Sequence, residues 1–386
     1  MPSPGPVAQE WVQSGESGTE SAGGRPVYIH IGLQKTGTSY LQSIFWQSQA
    51  ELTRQGLDMV PGSKRDTFHL MLRVRNRFDP DFDPPEVDQA LSRLPGQLAD
   101  SHGSRALISE EALAQASDDQ IAALVAACAG REVHLMLTVR DLGRQIPSAW
   151  QQVLQSGGSI SLDDYLRRLK RNKAKPGSEY WANKNLDEIL DRWSRHIPED
   201  RIHIVTVPPA GNPPEVLLRR FCGVLGIDPD LLDREVARRN ESVGRAQAEL
   251  LGRVNGLLSK ADRRRDVYGE VGKRYFAVKV LVPQQGERIC VPARHQRWVG
   301  EVSARYVDRI AAGRFHVVGD LADLNPPGEV FKRGTDEPTS EEVLEAATRA
   351  LAQMLGERME EHRARQARAA WKRRVLIPRQ WLKPRL

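Results

Sequence analysis

Residues Ile29 to Gln42 read I-H-I-G-L-Q-K-T-G-T-S-Y-L-Q. An apolar run enters a loop of Gly32, Lys35 and Gly37 with the hydroxyls Thr36, Thr38 and Ser39, and the amphipathic run Tyr40, Leu41, Ile44, Phe45 follows. The pattern predicts strand, loop and helix. Glycines let a backbone turn its N–H groups toward an oxyanion, a helix N-terminus adds the positive end of its dipole, and Lys35 adds a full charge. The stretch therefore predicts a phosphate or sulfate site. The nucleotide-triphosphatase loop G-x-x-x-x-G-K-[ST] puts Lys directly before the hydroxyl that holds magnesium. Here Lys35 precedes the second glycine and the hydroxyls cluster after it, an order that favours metal-free transfer.

A second segment works with the first. Val133 to Val139 reads as a buried strand followed by Arg140-Asp141-Leu142-Gly143-Arg144-Gln145-Ile146-Pro147-Ser148-Ala149-Trp150. In a parallel sheet the carboxyl end of such a strand lies beside the first loop, where ligands gather. Arg140 is thereby expected to reach a ligand bound there.

These residues resemble sulfotransferases that use 3′-phosphoadenosine 5′-phosphosulfate (PAPS). Their 5′-phosphosulfate loop has the common form P-K-[TS]-G-[TS]-[TS]-x-L, with Gln34 here at the Pro. Their 3′-phosphate is gripped in a pattern close to R-x-P-x-x-R-x-x-S. Arg140 and Ser148 keep that spacing, Leu142 stands at the Pro, and Arg144 comes one residue early. The resemblance is to the bacterial members and extends weakly from about residue 27 to residue 325. It implies PAPS as co-substrate and no metal, with Gln34, Lys35, Thr36, Gly37, Thr38, Ser39, Arg140 and Ser148 as binding residues. The family's closing basic loop, R-K-G, is missing; Arg239, with Arg238 and Ser242, is the candidate in its place. Lys35 is implied to meet the leaving oxygen. The class uses His or Glu as general base, and the candidates are His69, in the connection after the first helix, and the strand-end pair Glu110 and Glu111.

The rest of the chain suits this reading. Strands are expected at 56–62, ending in a turn, at 107–111 and at 202–207, and helices at 121–129 and 214–226. Alternation of the two predicts an α/β fold, a P-loop-type parallel sheet flanked by helices on both faces, with a helical C-terminal extension. Residues 1–25 are rich in Gly, Ser, Pro and Glu and are expected to form a tail. The expected division is 26–255 for the sulfotransferase-like domain, 256–338 for an extension over the acceptor side, and 339–386 for a charged helix ending in a basic tail. Within the extension, residues 299–310 are expected as a helix and 315–321 as a short ordered turn.

Net charge is +6, and the three cysteines, Cys128, Cys222 and Cys290, are widely spaced. That spacing fits neither a metal site nor a disulfide framework. No run of eighteen apolar residues and no leader pattern occurs, so the expected location is cytoplasmic. The last residues, Arg363 to Leu386, mix basic side chains with Trp371, Trp381 and Leu382, a composition suited to peripheral contact with the inner membrane surface. No motif for nucleic acid is present. The expected acceptor is a hydroxyl or amine of a small metabolite, saccharide or glycolipid. The alternatives are a small-molecule kinase and a catalytically silent binding protein of the same fold.

Overall fold

The computed structural model describes residues 24–172, 181–235, 242–332 and 337–375. In chain order the first half runs β1 (Pro26–His30), α1 (Thr38–Gln47), α2 (Gln49–Arg54), β2 (Leu57–Met59), α3 (Lys64–Val74), α4 (Ala90–Ala99), β3 (Arg105–Ser109), α5 (Asp118–Ala127), β4 (Glu132–Val139), α6 (Leu142–Gln155) and α7 (Leu162–Asn172). The second half runs α8 (Leu186–Trp193), β5 (Ile202–Thr206), α9 (Glu215–Leu225), α10 (Arg245–Leu257) and α11 (Arg265–Tyr268), which passes into a π-helix (Gly269–Leu281). It then continues β6 (Val291–Pro292), α12 (Gln296–Ala312), β7 (His316–Val318), β8 (Phe331–Lys332) and α13 (Ser340–Val375).

Among the described residues the main sheet has six strands in the order β2-β3-β1-β4-β5-β7. Every pairing in it is parallel. Successive side chains of a strand point to opposite faces. In β1, Val27 and Ile29 join one core with Leu70 of α3, Ile121 of α5, Ile146 of α6 and Trp193 of α8. Tyr28 joins the other, with Leu41 and Phe45 of α1 and Phe221 of α9. Apolar residues on both faces are what a parallel sheet covered by helices on both sides requires. The fold class expected from the sequence is the one observed.

The late part of the chain differs from expectation in one respect. Residues 316–318 are not a turn over the acceptor side but the edge strand β7, paired with β5 in the register His203↔His316 to Val205↔Val318. Three residues are too few to show a period, and their hydrogen bonds come from a strand more than a hundred positions earlier. The helix expected at 299–310 is α12. α13 spans 36 residues, and from Glu360 to Trp371 its side chains are exposed. Among the described residues no helix is long and apolar enough to cross a membrane. The tail 1–23, Arg238, Arg239 and the basic end 376–386 lie outside the described residues.

The sheet order makes the site. From β1 the chain turns toward β2 and β3, and from β4 it turns the other way toward β5. The loops after these two adjacent strands diverge and leave a crevice at their carboxyl ends.

Candidate active site

The loop after β1 is locked to β4. Leu33 N donates to Thr138 O at 2.7 Å, and Thr138 N donates to Gly32 O at 2.5 Å. Gly37 has φ 93° and ends the loop at the N-terminus of α1. A side chain there would meet Leu217 at 2.6 Å, so the turn needs glycine on both grounds. Lys35 also has a positive φ, 66°, a conformation that costs a non-glycine residue of order 1–3 kcal/mol and persists when its surroundings hold it.

A buried hydrogen-bond chain beneath the loop does that holding. Thr36 Oγ1 donates to Leu33 O at 2.5 Å, so at 2.6 Å from Thr138 Oγ1 it accepts. Thr138, having given its proton, accepts from His30 Nε2 at 3.4 Å. His30 Nδ1 then accepts from Ser109 Oγ at 2.9 Å, and Ser109 Oγ accepts from Gln42 Nε2 at 3.2 Å. The chain runs in one direction and needs a neutral imidazole with its proton on Nε2. Burial enforces that state, pulling the pKa of His30 down to about 3. Thr36 is fully buried, and its hydroxyl tethers the loop. Ser39 is exposed at the start of α1.

Arg140 follows β4 directly, and its Nη1 donates to Lys35 O at 3.1 Å. Its Nε is buried with no hydrogen-bond partner among the described residues. Burial chiefly, with Arg144 and Arg288 nearby, pulls its pKa down to about 10. Arg140 and Ser148 line one cavity of about 490 Å³, together with Gln151, Ser242 and the 285–290 segment that carries Arg288. α6 brings them together: it begins at Leu142, two residues after Arg140, and Ser148 lies within it. Arg144, the early arginine of the motif, is tied to the Asp141 carboxylate and donates from Nη1 to Pro208 O at 3.0 Å. It buttresses the cavity wall with its charge already paired.

The base candidates separate. Glu111 sits against the loop, and a Cβ on Gly32 would lie 3.1 Å from its Cβ. The Thr38 hydroxyl and the charges of Lys35 and Lys273 favour its ionised form, but burial outweighs them and raises its pKa. Glu110 instead caps the turn after β3, accepting from Ala112 N at 3.1 Å, and burial pushes it up to about 7. His69 is buried on α3, and no hydrogen bond links it to the loop among the described residues. So Lys35 and Glu111 come together, whereas among the described residues no hydrogen bond joins the Glu110 or His69 side chain to the loop.

No protein-family model matches the chain. No curated protein matches it. Two solved structures are similar to it. One is a sulfotransferase from Alicyclobacillus acidocaldarius, 14% identical, covering 62% of this chain and 99% of its own, with a TM-score of 0.35. The other is the sulfotransferase domain from the curacin biosynthetic pathway, 12% identical, covering 58% of this chain and 81% of its own, with a TM-score of 0.30.

Several site residues escape the motifs. Arg288 is exposed at the cavity wall. Gln145 Nε2 donates to Gln34 O at 2.8 Å, and Asn183 Nδ2 donates to Gln34 Oε1. His30 was visible within the decisive stretch, where a polar residue in an apolar strand was the available signal. Arg288 and Asn183 carried none, since only folding brings their segments to the loop.

Proposed function

We propose that this chain is a PAPS-dependent sulfotransferase acting on a hydroxyl or amine of a small metabolite, saccharide or glycolipid. One observation carries the reading. Arg140 bonds the backbone of Lys35 and lines a cavity that Ser148 also lines. An arginine and a hydroxyl lining one cavity suit a phosphate, which a guanidinium binds through charge-assisted hydrogen bonds. Loop and cavity thus suit a ligand with two anionic ends, which fits a nucleotide phosphorylated at both its 3′ and 5′ positions.

When bound, PAPS supplies the sulfuryl group and a 3′,5′-bisphosphate leaving group. Lys35 and the loop N–H groups hold the 5′ end and stabilise charge developing on the leaving oxygen. Glu111 takes the acceptor's proton, and Lys35 favours its ionised form. Arg140, Ser148 and Arg288 hold the 3′-phosphate, Arg288 serving as the closing cation.

Calorimetric titration with adenosine 3′,5′-bisphosphate tests the site, with magnesium and adenosine triphosphate as the control for a kinase. Transfer of radiolabelled sulfate from PAPS into lipid and saccharide extracts tests the reaction. Binding of the triphosphate alone would sink the proposal; binding of the bisphosphate without transfer to any extract would favour the silent binder.

A further inference from the structure

Gln34 stands where the resembling loops carry proline, and its side chain is the end of a polar chain that reaches into the core. Lys184 Nζ donates to Asn183 Oδ1 at 2.5 Å, and Asn183 Nδ2 donates to Gln34 Oε1. Lys184 is 3% exposed. Its backbone is fixed from two sides, since Lys184 N donates to Trp181 O at 2.7 Å and Tyr306 Oη of α12 donates to Lys184 O at 2.8 Å. Trp181 is anchored in turn by its Nε1, which donates to Leu169 O at 2.9 Å.

Burial pulls the Lys184 pKa down to about 7, and its amine has N–H donors in either protonation state. Donation from Lys184 Nζ to Asn183 Oδ1 turns the Asn183 NH2 to Gln34. Gln34 must then accept through Oε1. Its own two N–H donors are left without a partner among the described residues, one position before Lys35.

Resting on the function proposed above, we propose that Lys184 and Asn183 are positioning residues that lock the Gln34 amide with its N–H donors toward the 5′ anion of the bound nucleotide. The lock does the work that a rigid proline does by fixing the backbone, and adds two neutral donors beside the lysine charge. Buried polar chains of this kind act as a unit, so breaking any link releases the last one.

The test is calorimetry on the full chain, comparing wild type, Gln34→Ala, Lys184→Met and the double variant. Each single variant is expected to bind adenosine 3′,5′-bisphosphate about ten-fold more weakly, the size of one hydrogen bond to a charged group. The double variant is expected to be no weaker than Gln34→Ala. All four should bind adenosine 3′-phosphate, which lacks the 5′ group, equally. Losses that multiply in the double variant, or equal losses for both ligands, overturn the proposal, because the lysine would then act on the fold at large. Should Lys184→Met not fold, Asn183→Ala cuts the same chain at its middle link. If wild type binds neither nucleotide, the nucleotide site itself is refuted. The lock is then decided in the ligand-free protein by the Gln34 side-chain amide resonance, which shifts in Lys184→Met if the chain exists and stays in place if it does not.

Discussion

Thr36 Oγ1 lies 2.6 Å from Thr138 Oγ1 and joins the loop after β1 to the end of the neighbouring strand β4. The bond is one link in the chain from Gln42 through Ser109, His30 and Thr138 to the Leu33 carbonyl. Thr138→Val keeps the volume and removes the hydroxyl, stranding the buried His30 Nε2–H. A loss of about 1–3 kcal/mol is expected for such a group. Denaturant unfolding measures it, and an unchanged midpoint would contradict the chain.

Acid should destabilise the fold before carboxylates in general titrate. Burial holds His30 at about 3 and His203 at about 4. Unfolded imidazoles take up protons below about 6.5, whereas these folded ones refuse them until far lower pH, so stability is full above 6.5 and falls as pH drops toward 4. For His30 alone the loss is of order a few kcal/mol. Glu110 opposes the trend. Its folded pKa of about 7 exceeds its ordinary value of 4.5, so it contributes stability on the acid side that is lost as pH rises from 4.5 through 7. Thermal melts across this range should show a steeper acid decline in Glu110→Gln than in wild type.

Glu111 is expected to be the base. Glu111→Gln should lower kcat by about 10²- to 10⁴-fold, the usual weight of general acid–base catalysis. Glu110→Gln and His69→Ala should keep most of the rate. The wild-type profile should lose activity on acidification at a pH above the usual carboxylate range, because burial raises the Glu111 pKa. A Glu111→Gln enzyme turning over at the wild-type rate would return the role to another group.

Lys35→Ala and Arg140→Ala should fail differently. Lys35→Ala is expected to abolish transfer and weaken adenosine 3′,5′-bisphosphate binding at its 5′ end. Arg140→Ala should erase the preference for adenosine 3′,5′-bisphosphate over adenosine 5′-phosphate, a preference worth about ten-fold or more for one charged hydrogen bond. Competition binding with the two nucleotides reads it directly, and a preference that survives in Arg140→Ala would place the 3′ grip elsewhere.

The features legible in the chain are local. The apolar run, the two glycines and Lys35 lie within fourteen consecutive residues, and Arg140 with Ser148 within nine. A loop between a strand and a helix, or an offset along one helix, is set by backbone geometry over short range, so such patterns can be read directly. The parallel sheet was legible for the same reason, since its strands are apolar on both faces and alternate with helices.

Only the tertiary structure decided which carboxylate faces the loop. Glu110 and Glu111 are neighbours in the chain, and a turn after β3 sends one to its own backbone and the other to Thr38 and Lys35. The same holds for β7, a three-residue strand that exists because β5 offers it partners, and for Lys184, which meets the loop across some 150 positions through Asn183. These outcomes depend on contacts between distant segments, and the energy of such a contact is not written in the residues around either end.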